Sequence, residues 1–247
     1  MSPAINPTWM HRSFAHLKKW LPGWMTNPIR RVATAVLTPM LFSSRTGHFR
    51  SSLRAKAVGR DGDPLPWYSY PSIDFLKSRS FVDKTVLEFG AGQSTLWWAK
   101  RARRVVTFED NQHWFDRVAQ SMPGNVELYL VSGMTGAARA VEVARILGDT
   151  DGLFDVIIVD GLSRARMIGI ATKYLSDDGM IVCDDAEIYG MHDAFTNSQL
   201  SRVDFCGFAP GVVLPRVTSI FFRPGSSFFG AEQPIAGCHG ASVTRIS

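Results

Sequence analysis

A glycine turn between an apolar strand and a helix is the feature of this sequence best suited to chemistry. It lies in residues 86–95, which read VLEFGAGQST. Glycine is needed where the backbone turns with a positive φ or approaches a ligand closely, and the first N–H groups of the following helix are unpaired. The turn therefore predicts a site for a nucleotide-like ligand, although many strand-to-helix turns carry glycine for steric reasons alone.

Acidic residues near the turn narrow the choice of ligand. Glu88 stands two residues before the first glycine, and Thr95 stands where a dinucleotide-binding motif has its third glycine. A carboxylate at this place would repel a pyrophosphate, whereas it would attract a cationic sulfonium and an ammonium group. A second strand ends in Glu109 and Asp110, where a doubly wound sheet places an acid on ribose hydroxyls. Glu109 is therefore the strongest single candidate for a ligand contact.

In these residues the sequence resembles the class I S-adenosylmethionine-dependent methyltransferases, over roughly residues 67–223. In that family the acid and glycines of the turn contact the methionine part of the cofactor, and the acid after the second strand holds the ribose. Residues 154–161 (FDVIIVDG) are similar to the family's fourth strand, whose final acid faces the reactive end, and residues 178–185 (DGMIVCDD) to the following turn and fifth strand. The resemblance implies S-adenosyl-L-methionine as the cofactor and these cofactor-binding residues: Glu88, Phe89, Gly90, Gly92, Ser94, Thr95, Glu109, Asp110 and Asp160.

The third strand departs from the family pattern. Residues 130–133 (LVSG) lack the acid that many members place against the adenine amine, so the adenine contacts are not identified. Structural interpretations of the acids also stay open: Glu88 could cap a helix or form an ion pair, and Glu109 could cap the next helix. All these acids follow predicted strands, at the edge where such sheets bind ligands, which favours a functional interpretation.

Methyl transfer to a hydroxyl or amine benefits from a base, because the acceptor loses a proton as it gains the methyl group. The candidate catalytic residues are Asp160, Asp185 and His192, with Asp160 as the first choice. Glu187 and Tyr189 lie at the same predicted edge. The alternative for Asp160 is a structural role as a helix cap.

Three acids also raise the question of a metal. Asp160, Asp184 and Asp185 resemble the acids that hold magnesium in catechol-type O-methyltransferases, and hard cations prefer such carboxylates. Asp185, however, stands where that subgroup usually has Asn. The sequence therefore leaves a divalent metal open without favouring one, and we predict no metal-ligating residues.

The elements that must position these residues alternate from about residue 67 between short β-branched runs and longer helical ones, the pattern of a parallel sheet flanked by helices. Residues 202–208 and 217–222 are both strand-like and should form a hairpin. The predicted fold is α/β, a doubly wound, mostly parallel seven-stranded sheet with an antiparallel C-terminal hairpin. The other predicted strands span residues 85–89, 104–108, 126–131, 154–159 and 180–183, and the predicted helices residues 94–100, 112–121, 137–147 and 164–174.

Charge divides the chain unevenly. The whole chain has 27 basic and 22 acidic residues, and residues 1–60 carry ten of the basic residues and none of the acidic ones. We expect a basic extension over residues 1–60 with a short helix at 28–37, a cofactor-binding domain over 61–224 and a Gly-rich tail over 225–247. The extension could contact a membrane surface; binding to RNA phosphates is not favoured, and simple packing stays open.

Composition and cysteine spacing limit the functional class. Cys183, Cys206 and Cys238 stand far apart, so we expect reduced thiols in a cytoplasmic protein, peripheral to a membrane if the extension binds lipid. No apolar run approaches the ~20 residues of a transmembrane span. We predict a methyltransferase acting on a small-molecule or glycan acceptor by O- or N-methylation. A non-catalytic cofactor-binding module and an aminopropyl transferase of the spermidine-synthase type are the alternatives, and the oligomeric state stays undetermined.

Overall fold

The structure, a computed structural model, describes residues 23–148, 152–161, 163–188, 191–196 and 198–227. Tyr189, Cys238 and the side chain of His192 lie outside the described residues, as do the first 22 residues and most of the Gly-rich tail. Among the described residues, no helix is long and apolar enough to cross a membrane.

A seven-stranded sheet forms the centre of the described chain, in the order β3-β2-β1-β4-β5-β7-β6. The first five strands pair in parallel, whereas β7 pairs antiparallel to both β5 and β6. The predicted fold class is therefore confirmed. The strands are β1 (Thr85–Phe89), β2 (Arg104–Glu109), β3 (Val126–Leu130), β4 (Phe154–Val159), β5 (Leu175–Asp184), β6 (Ser201–Gly207) and β7 (Arg216–Phe222).

Eight helices are described, and most of them flank the sheet. The four helices predicted in the central domain are present, with ends that differ from the prediction by two residues or fewer. The helices are α1 (Gly23–Thr46), α2 (His48–Arg54), α3 (Tyr70–Lys77), α4 (Gln93–Ala99), α5 (Gln112–Ala119), α6 (Gly136–Gly148), α7 (Arg164–Tyr174) and α8 (Met191–Phe195).

Apolar side chains cover both faces of the central strands. Val86 and Leu87 are neighbours in β1, and because strand side chains alternate, they enter different cores. The Leu87 core also holds Ile157 and residues of α6 and α7, and the Val86 core holds Trp97 and Trp98 of α4. Because both faces of the sheet are buried, polar groups of the central strands lie mainly at the strand ends. The candidate site is therefore sought at the strand ends.

The N-terminal helix is longer than predicted. The sequence predicts a helix over residues 28–37, whereas α1 runs from Gly23 to Thr46 and α2 begins at His48. The hydroxyls of Ser44, Thr46 and Ser52 donate to backbone carbonyls three or four residues earlier. These polar side chains therefore remain compatible with a helix, because they bond within the helix.

The chain after α1 packs against the central domain. The Ser51 hydroxyl donates to the carbonyl of Val58 and accepts from its N–H group. Ala57 and Leu65 are buried in the same core as Trp97. The predicted boundary at residue 60 stays a prediction, while these contacts attach residues 51–65 to the domain.

Candidate functional site

A cleft of about 1130 Å³ opens at the carboxyl ends of β1, β2 and β4. Its wall includes the glycine turn, the start of α7 and the segment that ends α2. Seven of the predicted cofactor-binding residues line it together: Phe89, Gly90, Gly92, Ser94, Glu109, Asp110 and Asp160. Below, this space is called the strand-tip cleft.

The glycine turn approaches the end of β4 very closely. Gly90 has φ +109°, and a Cβ added there would lie 2.6 Å from the backbone oxygen of Asp160. The N–H group of Asp160 donates to the carbonyl of Phe89 at 3.2 Å. Glycine is thus required at position 90 for two reasons, the left-handed backbone and the lack of room.

The backbone N–H groups of the turn are already engaged. Gly90 donates to the carbonyl of Phe108 at 2.8 Å, Ala91 donates to a Glu109 carboxylate oxygen at 3.1 Å, and Gly92 donates to the Thr95 hydroxyl at 2.8 Å. A phosphate-binding loop works by aiming free N–H groups at the anion. These three groups are therefore not available to a phosphate.

Glu109 joins the turn to the end of β2. One carboxylate oxygen accepts the Ala91 N–H, and the other accepts the N–H groups of Asp110 and Asn111, each at 2.9 Å. Burial raises the pKa of Glu109, and the three N–H donors oppose that rise. The Trp114 ring nitrogen donates to the carbonyl of Ala91 at 2.7 Å. Hydrogen bonds therefore hold Ala91 at both its N–H group and its carbonyl.

Glu88 lies behind the turn and does not line the strand-tip cleft. Its carboxylate is fully buried and accepts from the Ser94 and Thr95 hydroxyls, both at 2.5 Å, and from Thr107 at 3.1 Å. Burial raises the pKa of Glu88 to about 7, against the effect of the three hydroxyl donors. Glu88 thereby fastens the start of α4 to β1 and β2, and Thr95 also lies outside the cleft. A direct cofactor contact by either residue stays a prediction.

Asp160 is held at the end of β4 by an arginine. Arg164 donates to an Asp160 carboxylate oxygen at 2.9 Å, and it also donates to the carbonyls of Gly161 and Asp184. Burial raises the pKa of Asp160 to about 6, with Arg164 opposing the rise and the charge of Asp185 adding to it. Asp160 is therefore mostly ionised at neutral pH and fixed in orientation.

Asp185, the second candidate catalytic residue, does not line the cleft. Asp185 lies behind Arg164, with a 3.7 Å separation from it and a 2.6 Å ion pair to Arg216. His192 is in α8, and its side chain is outside the described residues. Of the two candidates whose side chains are described, only Asp160 reaches the cleft wall.

The three acids considered for a metal have other partners. Asp184 is buried and accepts from the Thr218 hydroxyl at 2.9 Å, while arginines pair with Asp160 and Asp185. Burial, followed by the neighbouring negative charges, raises the pKa of Asp184 well above its usual range. Within the described ranges no group of three His, Cys, Asp or Glu side chains is arranged to hold a metal ion.

Arg139 lies beyond the end of β3, in the region where the sequence identified no adenine contact. It pairs with Asp110 at 3.1 Å and donates to the Ser163 hydroxyl, also at 3.1 Å. Val131 and Val143 line the same part of the cleft. Sequence reasoning missed Arg139, because its only signal was a basic residue at the start of a helix.

The basic extension also reaches the cleft, which the sequence did not predict. Arg54 at the end of α2 and the next two residues, Ala55 and Lys56, line the wall together with Trp67. Trp67 belongs to an aromatic run before the first core helix, and this run was the available signal for a covering segment. No pattern in the sequence predicted that Arg54 and Lys56 line the cleft, because their position depends on how α2 packs against the domain.

No protein-family model and no curated protein sequence matches this chain. Solved structures with a related fold include precorrin-6y C5,15-methyltransferase from Geobacter metallireducens, at 14% identity and a TM-score of 0.46, covering 62% of this chain and 88% of that one. A methyltransferase from Pyrococcus furiosus has 19% identity and a TM-score of 0.43, covering 62% and 81%. The N-methyltransferase NodS from Bradyrhizobium japonicum has 15% identity and a TM-score of 0.40, covering 75% and 97%. At these values the likeness carries no argument about activity.

Proposed function

We propose that this chain is an S-adenosyl-L-methionine-dependent methyltransferase that acts on a small-molecule or glycan acceptor. The observation that carries the proposal is the bonding of the glycine turn. The N–H groups of Gly90, Ala91 and Gly92 are all occupied, and the carboxylate of Glu109, which lines the cleft, accepts the Ala91 N–H group. Such a turn disfavours a pyrophosphate and favours a ligand that carries a cation.

The residues present fit this cofactor. A cleft of about 1130 Å³ has room for a nucleoside with an amino-acid side chain and for an acceptor beside it. Glu109 accepts one N–H group on one carboxylate oxygen and two on the other, so it retains acceptor capacity for ribose hydroxyls. A Cβ added at Gly92 would meet nothing within 4 Å, which leaves open space beside the turn.

Asp160 is the proposed base. The bound cofactor would supply a methyl group on a sulfonium centre, and the acceptor oxygen or nitrogen must release a proton. With a pKa of about 6, Asp160 is ionised at neutral pH and can take that proton. Arg164 acts as a positioning residue, because it holds the Asp160 carboxylate to the start of α7. Asp185 and His192 remain further candidates for the acceptor side.

Two other functions for the same site differ in the ligand they need. An aminopropyl transferase would bind decarboxylated S-adenosylmethionine more tightly than the intact cofactor. A binding module without turnover would bind the cofactor but would show no effect of Asp160 on any transfer. The ionised, oriented carboxylate of Asp160 favours the methyltransferase over the binding module.

Calorimetric titration tests the proposal. The protein should bind S-adenosylhomocysteine and should not bind NAD⁺. Glu109→Gln should weaken this binding about 10 to 100-fold, since a hydrogen bond to a charged group is worth about 1.5–3 kcal/mol. Glu142→Gln is the matched control, because Glu142 lies on α6 in an ion pair with Arg145. This variant should bind S-adenosylhomocysteine as tightly as the unchanged protein. Tighter binding of NAD⁺, or no heat with the homocysteine nucleoside on folded protein, would refute the proposal.

A further inference from the structure

Helix α1 carries an apolar stripe that faces away from the domain. Ile29, Val32, Val36 and Met40 are spaced by three, four and four residues, so they share one face of the helix. They are 46%, 64%, 53% and 62% exposed. Phe42 lies on another side of the helix, where its ring contacts the domain. Within the described part of the chain, the stripe therefore has nothing packed over it.

A second exposed apolar group lies beside α2. Phe49 and Leu53 on this helix are 63% and 73% exposed, and Val213 and Leu214 between β6 and β7 are 86% and 73% exposed. The two elements touch, because the Gly211 N–H donates to the His48 ring nitrogen. A Cβ built on Gly211 would also lie 3.0 Å from the Ser51 backbone. Two elements in contact with each other thus both expose apolar side chains.

The charged side chains of the N-terminal sixty residues all have one sign. Residues 1–60 contain ten Lys or Arg and no Asp or Glu. Arg30 and Arg31 are exposed on α1. A second copy of this segment would bring these positive charges together, which opposes self-association through it.

An anionic lipid surface matches both properties. Lipid headgroups attract Lys and Arg, and the acyl region beneath them takes up apolar side chains. RNA phosphates would satisfy the charges alone and would leave large apolar side chains in water. Helix α1 is not long and apolar enough to cross the bilayer, so it would lie in the plane of the interface.

We propose that α1, α2 and residues 208–214 form a docking surface for an anionic membrane. The position of the cleft agrees with this assignment. Arg54, Ala55 and Lys56 line the strand-tip cleft and directly follow the α2 side chains that would enter the lipid. Docking would therefore hold the cleft wall close to the headgroups. The inference concerns where the chain binds, and its test does not depend on the reaction in the cleft.

Sedimentation with lipid vesicles tests the docking surface on the full chain. The protein should bind vesicles of phosphatidylcholine with about 30% phosphatidylglycerol, and should bind them at least about tenfold more weakly in 0.5 M salt or without the anionic lipid. Equal binding to neutral vesicles, or no binding to either kind, would overturn the proposal.

Paired variants locate the surface. Val32→Ser with Val36→Ser, and separately Val213→Ser with Leu214→Ser, should each weaken vesicle binding about tenfold or more. Val141→Ser is the matched control, since Val141 is 70% exposed on α6 and lies outside the surface. Its vesicle binding should equal that of the unchanged protein.

Two results would assign the surface to another partner. Analytical ultracentrifugation that showed a dimer lost in the paired variants, without vesicle binding, would assign the stripe to a second copy. Salt-sensitive binding of a single-stranded RNA oligonucleotide, again without vesicle binding, would assign the charge to nucleic acid. Unchanged vesicle binding in both paired variants would also overturn the proposal.

Discussion

The strand-tip cleft and helix α1 treat charged and apolar groups in opposite ways. At the strand ends, Glu88 and Glu109 are buried and each carboxylate accepts three hydrogen bonds. On α1, apolar side chains such as Val32 and Val36 are more than half exposed. In the first region the buried carboxylates therefore have hydrogen-bond partners within the described chain. The second region exposes apolar surface that a soluble monomer usually buries.

The difference concerns rigidity as well as contacts. A buried carboxylate that accepts three hydrogen bonds fixes the backbone around it, and a binding site needs such preorganisation before the ligand arrives. Substituting a side chain on an exposed apolar helix face changes the stability of the free protein little, because few contacts are lost. Substitutions in the first region should thus change stability, and those in the second should change binding to a partner.

The largest effect is expected at Gly90. Gly90→Ala would combine a strained φ of +109° with a contact of 2.6 Å to the Asp160 carbonyl oxygen. It should lower the free energy of unfolding by about 3 kcal/mol or more, as measured by urea denaturation. Gly124→Ala is the control, because nothing lies within 4 Å of its Cβ position, and should change the value by less than about 1 kcal/mol. If both variants lowered the free energy of unfolding equally, the close contact between the glycine turn and the end of β4 would be contradicted.

A smaller effect, dependent on pH, is expected at Glu88. Its pKa rises from 4.5 to about 7 on folding, so the folded state keeps a proton that the unfolded state has lost. The stability that Glu88 contributes is then fully present below pH 4.5 and is lost as pH rises through about 7, by up to about 3 kcal/mol. Glu88→Gln should remove this contribution and so make the decline in urea unfolding between pH 5 and 8 visibly smaller.

Two comparisons sharpen the Glu88 result. The decline that remains in Glu88→Gln should come from Asp160 and Asp184, whose pKa values are also raised by burial. Glu142→Gln should keep the full decline of the unchanged protein, since Glu142 lies outside the buried acids. The same pH dependence in Glu88→Gln as in the unchanged protein would mean that Glu88 stays ionised throughout.

The smallest effect on stability is expected on α1. Val36→Ser should change the free energy of unfolding by no more than about 0.5 kcal/mol, because the side chain is 53% exposed. Val143→Ser supplies the contrast at the cleft, where the same side chain is 1% exposed and should cost about 2–3 kcal/mol. A large loss from Val36→Ser would show that α1 is buried in solution, against the docking surface.

Much of the sheet followed from local patterns. The ends of β1 and β4 match the prediction, and the two strands of the C-terminal hairpin each begin one residue earlier than predicted. Strand β5 begins five residues earlier than predicted, at Leu175, where its pairing with β4 is irregular. A polar stretch of Ser and Asp hides that extension, because such residues are typical of turns. The length of α1 was missed for the related reason that its hydroxyls bond inside the helix.

The candidate site could be predicted by residue type and only partly by role. The acids at the strand ends do gather at one edge, since parallel strands end there together. Their orientation did not follow: Glu88 turns behind the glycines, and Arg164 separates Asp160 from Asp185. The ligand itself stays a proposal, supported by the engaged N–H groups of the turn.

Apolar periodicity and glycine spacing in the sequence alone determined the class of sheet, the position of the turn and the edge on which the acids lie. Both signals are local, because they depend on which face of a strand is buried and which φ a residue can adopt. Only the tertiary structure decided which groups each acid bonds, and that Arg54 and Lys56 come to the cleft wall. Those contacts join residues far apart in the chain, and packing of whole elements sets them.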